Sequence, residues 1–221
     1  MTLVTAAQMK ELEQAAVAAG TSEQELMFNA GLAAAQEAWM AVGAAEGRAM
    51  LVLVGPGNNG GDGLVAALQL AEMGAEVGIY LLTDRDADDP QWQAVVEAGI
   101  PANGTDQDPE LVALRRMLGQ SSLVLDALLG TGVSRPIEGD LARVLDVLRE
   151  VREGMPRPQL IALDVPTGVN SDTGRADPAT VEVDSTLAFG YSKVGLFAMP
   201  GRRFAGRVVA RVATASGEDL S

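Results

Sequence analysis

Apolar residues follow two different rhythms along this chain, and the change between them falls near Ala49. Up to Val42 they recur at helical spacing behind two capping signals, Thr5-x-x-Gln8 and Ser22-x-x-Glu25. In such a box the hydroxyl accepts the N–H three residues on, and the side chain there turns back to the first N–H. The predicted helices run to about Ala18, with Gly20 as the stop, and from about Glu23 to Val42. Within the second, Leu26-Met27-Phe28-Asn29-Ala30-Gly31 turns small toward its end, which lets another backbone approach closely.

From Ala49 onward, continuous apolar runs alternate with amphipathic ones. AMLVLV, AEVGIYLLT, SSLVLDALLG, QLIALDVPTG, TLAFGY and RVVARVAT read as strands, several of them buried on both faces. LVAALQLAEM stopped by Gly74, a segment from Pro90 to Ala98, another from Pro109 to Leu118, and GDLARVLDVLREV capped near Asp140 read as helices. Strands alternating with helices give a parallel sheet covered on both faces. The expected fold is α/β: a Rossmann-like three-layer α/β/α arrangement with a mainly parallel central sheet, preceded by two N-terminal helices. Residues 1–215 are expected to form a single domain, with 216–221 as a flexible tail.

Composition narrows the chemistry. The 221 residues are 48% hydrophobic and carry a formal charge of −14, which disfavours nucleic acid and anionic membrane surfaces as partners. There is no cysteine and no histidine. Thiol catalysis, Cys-based metal sites and the commonest general base are thereby excluded, leaving Asp, Glu, Lys, Tyr and the backbone. The N-terminus lacks the apolar core and cleavage site of a signal peptide, and no segment approaches a membrane span, so a cytoplasmic location is expected.

Three strand ends share one design, an apolar run followed by polar and glycine residues. They are LVLV-Gly55-Pro-Gly57-Asn58-Asn59-Gly60-Gly61-Asp62, LVL-Asp126-Ala-Leu-Leu-Gly130-Thr131-Gly132 and IAL-Asp164-Val-Pro-Thr167-Gly168. In an open parallel sheet such ends face one crevice, where these folds bind ligands. The first contains G-x-G-x-x-G, whose glycines and following helix suit a pyrophosphate, and Asp84 or Asp86 stands near the place of a ribose-holding acid. Asn58, Asn59 and Asp62, however, crowd side chains where a dehydrogenase loop wants bare backbone. Asn59, Asp126 and Thr167 would bring amide, carboxylate and hydroxyl oxygens together, a donor set for an alkali or alkaline-earth cation. A plain hydrogen-bond network joining the three loops fits the same residues.

With these motifs in place the sequence resembles the NAD(P)H-hydrate epimerases, the YjeF N-terminal domain family, over nearly its whole length. The resemblance rests on Met9-Lys-Glu-Leu-Glu13, Leu26 to Gly31, Gly55 to Gly63, Asp126 to Gly132 with Arg135-Pro136, Asp164 to Gly168 with Asp172-Thr-Gly174, Lys193-Val-Gly-Leu196 and Pro200-Gly201. It implies interconversion of the two epimers of hydrated NADH or NADPH, followed by a dehydratase that repairs one of them. It further implies substrate contacts from Asn58, Asn59, Gly60, Gly61 and Asp62, from Gly130, Thr131, Gly132, Val133, Ser134, Arg135 and Pro136, and from Asp164 at the reacting ring. One potassium ion per subunit on Asn59, Asp126 and Thr167, and a homodimer, are family expectations as well. Thr167 stands where the family usually has Ser, and Phe28 where an acidic residue is commoner. The dehydratase domain fused to many relatives is not in this sequence, so a stand-alone epimerase or a segment of a longer protein is expected.

Asp164 is the expected catalytic group, protonating the departing hydroxyl and deprotonating the water that returns on the other face. Burial would favour its acid form and a nearby cation would oppose it. Three competing readings remain: an NAD(P) oxidoreductase, a non-catalytic binding module on the same scaffold, and a small-molecule kinase, against which the lack of a GxxxxGK[ST] loop speaks. Lys193 is expected either to face substrate phosphate or to be a solvated loop lysine.

Overall fold

The computed structural model of the chain describes residues 2–43, 46–132 and 135–211. It opens with a two-residue strand, β1 (Leu3–Val4), and the helices α1 (Ala6–Ala18) and α2 (Glu23–Val42). Both capping boxes form as expected, Thr5 with Gln8 and Ser22 with Glu25. The alternating part then runs β2 (Ala49–Val54), α3 (Asn58–Glu72), β3 (Glu76–Leu81), α4 (Pro90–Glu97), β4 (Ala102–Gly104), α5 (Val112–Gln120), β5 (Leu123–Ala127), α6 (Gly139–Glu153) and β6 (Gln159–Leu163). It closes with β7 (Ser185–Phe189), β8 (Ser192–Lys193), α7 (Gly201–Phe204) and β9 (Arg207–Arg211).

Seven strands make one sheet in the order β4-β3-β2-β5-β6-β7-β9, every pairing parallel. The order reverses between β2 and β5, which is where doubly wound sheets bind their ligands. Alternation along β2 sorts the core into two layers. Met50, Val52 and Val54 meet Ala34, Ala38, Leu64 and Leu70 of α2 and α3, whereas Leu51 and Leu53 meet Leu114, Leu118, Val144 and Leu148 of α5 and α6. The central strand is therefore buried on both sides, which is why its sequence is an unbroken apolar run. Among the described residues no helix is long and apolar enough to cross a membrane.

Gly31 does what its small neighbourhood suggests. A Cβ there would stand 2.4 Å from Cβ of Val65 and 2.9 Å from the Asp62 carbonyl, so α2 and α3 cross with backbones nearly in contact. Elsewhere the structure differs from the sequence expectation. α3 begins at Asn58, so residues expected to loop form its opening turns. α6 is entered through Glu138 without a side-chain cap, and Asp140 instead pairs with Arg143 in its first turn. α5 starts at Val112, later than expected, from Leu111 in the left-handed region (φ 53°). The pair β1–β8 and the short β4 carry too few residues to show a period in the sequence.

Candidate functional site

The ends of β2, β5 and β6 lie side by side, because these strands are neighbours in the sheet. Beyond β2 the chain turns through Gly55-Pro-Gly57 and enters α3 directly. Its first i→i−4 bond runs from the Gly61 N–H to the Gly57 carbonyl at 3.2 Å, which leaves the N–H groups of Asn58, Asn59 and Gly60 ahead of the helical ladder. Such a helix start attracts anions.

Most glycines of this stretch are held to glycine by close packing. A Cβ on Gly55 would fall 1.8 Å from the Leu128 carbonyl oxygen, one on Gly60 2.0 Å from that of Gly55, and one on Gly63 2.6 Å from Cβ of Ala127. α3 is thus set hard against β2 and β5, and Gly57 alone among Gly55, Gly57, Gly60, Gly61 and Gly63 faces open space. Arg85, just past β3, locks the turn: its Nη1 donates to the Gly55 carbonyl at 3.0 Å and the Gly57 carbonyl at 3.3 Å, while Asp89 pairs with the same guanidinium. A dehydrogenase would place a ribose-holding acid here. Asp84 is exposed, and Asp86 turns back to accept from the Asp88 N–H.

Asn59, Asp126 and Thr167 do come together, joined through the peptide of Leu129. Asn59 Nδ2 donates to the Leu129 carbonyl at 3.1 Å, and the Leu129 N–H donates to Thr167 Oγ1 at 3.1 Å. Thr167 then donates its hydroxyl and its N–H to the two oxygens of Asp126, at 2.7 and 3.0 Å, and Leu128 N–H adds a third bond. Burial pushes the Asp126 carboxyl up, against the pull of these bonds. Asn59 Oδ1 is buried without a hydrogen-bond partner. A desolvated carboxylate beside an unpartnered amide oxygen is a donor set that suits a hard monovalent cation.

Asp164 follows the last residue of β6 with φ 68°, a left-handed backbone that a non-glycine residue adopts at a cost of about 1–3 kcal/mol. Its N–H is held by the Leu187 carbonyl at 2.7 Å. Its carboxylate pairs with Lys193, whose Nζ also donates to the Phe189 carbonyl at 2.7 Å. Lys193 is neither a phosphate-facing nor a solvated residue: it is 1% exposed. Two further carboxyl groups share this surrounding, Asp62 from α3 and Glu13 from α1. Burial pushes the Asp62 carboxyl well above the usual carboxylate range, the charges of Asp164 and Glu13 push it further, and Lys193 pulls it back. Glu13 is raised too, by partial burial and then Asp164, with Lys193 opposing.

The N-terminal arm reaches this corner by three contacts. Leu3 and Val4 pair with Ser192 and Lys193, the Ala6 N–H donates to Asp172 at 2.6 Å, and Met9 packs on Gly190. Sequence reasoning left Glu13 and Arg85 without a role. The signal for Glu13 was only its place in the Met9–Glu13 motif, and Lys193 carried no mark beyond following an apolar strand. In the second glycine stretch, Gly130 lies against Asn59, Thr131 is partly buried, and Gly132, Arg135 and Pro136 are exposed. Val133 and Ser134 lie outside the described residues, as does the 216–221 segment. Phe28 is 48% exposed and lines a groove between α2, α3 and α4, with Gln24, Gln69 and Ala94.

Comparison with known proteins places this geometry. The family model described as YjeF-related protein N-terminus matches residues 23–195. The chain is 43% identical over 164 residues to the NAD(P)H-hydrate epimerase of Clavibacter michiganensis subsp. michiganensis, covering 72% of this chain and 70% of that protein. It is 34% identical over 211 residues to the NAD(P)H-hydrate epimerase of Limosilactobacillus fermentum, covering 93% and 94%. It is also 37% identical over 199 residues to the bifunctional NAD(P)H-hydrate repair enzyme Nnr of Thermofilum pendens, covering 88% of this chain but only 36% of that protein. The chain therefore spans about a third of the bifunctional relative. Among solved structures, yeast ynu0 superposes with a TM-score of 0.80 at 21% identity over 96% of this chain and 88% of that one, a likeness of fold.

Proposed function

This chain belongs to the YjeF-related protein N-terminus family, and from that premise we propose that it interconverts the R and S epimers of hydrated NADH or NADPH. The observation that carries the reading is the ion pair of Asp164 and Lys193 past the end of β6, next to β5 of the switch point, with Asp62 of α3 near enough to feel both charges. The oxidoreductase alternative finds no acid held for a ribose: Asp84 is exposed, Asp86 accepts from the Asp88 N–H, and Asp89 is spent on Arg85.

The chemistry follows from the substrate class. A dihydronicotinamide ring is an enamine, so water adds with its oxygen on the carbon next to the ring nitrogen. Inverting that carbon needs the C–O bond to break and to re-form on the other face, with the nitrogen lone pair holding the intermediate as an iminium. Proton transfer to the leaving hydroxyl and from the returning water is what side chains at the ring supply, typically 10²–10⁴-fold. In this reading Asp164 stands at the ring and takes part in that transfer, held by its Leu187 hydrogen bond and by Lys193. Asn58, Asn59 and Gly60 present the N–H groups for the pyrophosphate. Gly130 to Gly132 and Arg135-Pro136 form the opposite wall in this reading. A potassium ion would be held by Asn59, Asp126 and Thr167, and when bound it supplies positive charge beside the phosphate-binding turn.

The same reading extends to the assembly. α1 buries none of its residues within the chain, and Leu12 and Val17 on it are 41% and 40% exposed, which supports a homodimer through this helix. A dehydratase that acts on one epimer is the functional partner, supported by relatives that carry the name of a bifunctional repair enzyme. The deciding experiment incubates the protein with one epimer of hydrated NADPH in potassium buffer and follows epimer mixing by chromatography. Acceleration over the spontaneous reaction is expected. Folded protein that binds the substrate without accelerating its mixing would move the assignment to a binding module.

A further inference from the structure

Three carboxyl groups from three separate elements gather around one ammonium group. Asp164 follows β6, Asp62 lies in the second turn of α3, Glu13 comes from α1, and Lys193 ends β8. Lys193 spends its hydrogen bonds on Asp164 and on the Phe189 carbonyl. Asp62 receives no hydrogen bond or ion pair from any described residue, although it is only partly exposed. The face of α2 that meets α3 here presents Met27 and Gly31, neither of them titratable. One cation among three carboxyl groups settles a single partner, and the geometry gives that cation to Asp164. Acid and base roles separate in enzyme sites where surroundings drive two like groups apart in this way.

Resting on the epimerase reading above, we propose that proton traffic at the ring is divided between two carboxyl groups: Asp62 protonates the departing hydroxyl, and Asp164, with Lys193 as its positioning residue, takes the proton of the returning water. In the first step the C–O bond breaks with its electron pair on oxygen, the Asp62 proton converts that oxygen to water, and the nitrogen lone pair closes the C=N bond. In the second a water oxygen attacks the carbon from the other face, the C=N pair returns to nitrogen, and the released proton goes to Asp164. Transfer of that proton back to Asp62 restores the starting state, and the reverse epimerisation runs through the same pair with roles exchanged. Burial and the neighbouring charges of Asp164 and Glu13 favour the acid form of Asp62, against Lys193.

The test pairs a pH–rate profile with a readout that needs no turnover. Asp62→Asn should lower kcat by about 10²–10⁴-fold and abolish the decline of rate at alkaline pH, and Asp62→Glu should restore part of both. In isotope-edited infrared spectra of folded protein with labelled aspartate, a protonated carboxyl band at neutral pH should persist in Asp164→Asn and be missing in Asp62→Asn. Should the Asn variant fail to fold, titration of that band in the unsubstituted protein and the Glu variant carry the test. An Asp62→Asn enzyme with unchanged kcat and alkaline limb, or a neutral-pH band absent from the unsubstituted protein, overturns the assignment while epimerisation itself stands. Unsubstituted protein that accelerates neither epimer overturns both.

Discussion

Lys193 and Asp164 form an ion pair almost wholly withdrawn from solvent, with side chains 1% and 14% exposed. Removing one partner leaves the other charge buried alone, which typically costs about 3–5 kcal/mol, whereas removing both often costs little. Lys193→Met is therefore expected to lose stability by roughly that amount, and the double variant with Asp164→Asn to recover most of it. Urea unfolding of the two single variants and the double variant gives the coupling energy. Epimerisation should stay lost in the double variant, which separates stability from chemistry.

Potassium should act through Asn59. Replacing potassium by lithium is expected to lower both the unfolding temperature and the epimerisation rate of the unsubstituted protein, because an ion bound only by the folded state stabilises it. Asn59→Ala should remove the difference between the two salts. It also loses the bond to the Leu129 carbonyl, worth about 1 kcal/mol. Thr167→Ser keeps the hydroxyl that bridges Asp126 and Leu129 and should retain potassium dependence, while Thr167→Val should abolish it. Thermal melts in matched salts decide the matter.

Asp184 makes an acid-sensitive clamp far from the site. Burial works against its charge, but hydrogen bonds from Arg152 and the Leu160 N–H, with the charges of Arg152 and Arg157, hold its carboxyl below the usual range. A folded-state value below the unfolded one adds stability above the unfolded value, near 3.9, and that stability fades as pH falls through the folded value. Asp184→Asn is expected to cost about 1–3 kcal/mol at neutral pH, and the gap should close on acidification. Denaturant midpoints at neutral and acid pH measure both.

The glycines divide into two classes by what their missing side chain would meet. Gly60→Ala would drive a methyl into the Gly55 carbonyl and Gly63→Ala into Ala127, so both should be destabilised by at least about 1–3 kcal/mol. Gly57→Ala meets nothing and should keep its unfolding temperature within a degree or two of the parent. Its methyl would stand where substrate phosphate approaches, so KM should rise with kcat little changed. A Gly57→Ala enzyme with normal KM would take the phosphate away from this turn.

Much of the fold was legible because its strands are buried on both faces and announce themselves as apolar runs, as β2 does. The starts of both N-terminal helices were legible, since their capping boxes are local chemistry. What escaped depends on distant partners. Asn58 to Asp62 look like loop because glycines and asparagines are poor helix formers, and only the fit of α3 against Leu128 and Ala127 makes them helical. The meeting of Asn59, Asp126 and Thr167 was readable from three strand ends. Lys193 was not: its partner stands on another strand, and nothing local distinguishes a buried ammonium from a solvated one.

Val4 pairs with Lys193 in a parallel register across nearly the full length of the chain. Closing so large a loop is slow and brings little contact area of its own, so it belongs late in folding. A chain with its seven-stranded sheet complete would already display Asp164 at the end of β6 yet lack the strand pairing that sets its lysine. The proposed chemistry thus depends on a strand pairing outside the seven-stranded sheet, and a catalytic assay would read out the fidelity of that closure.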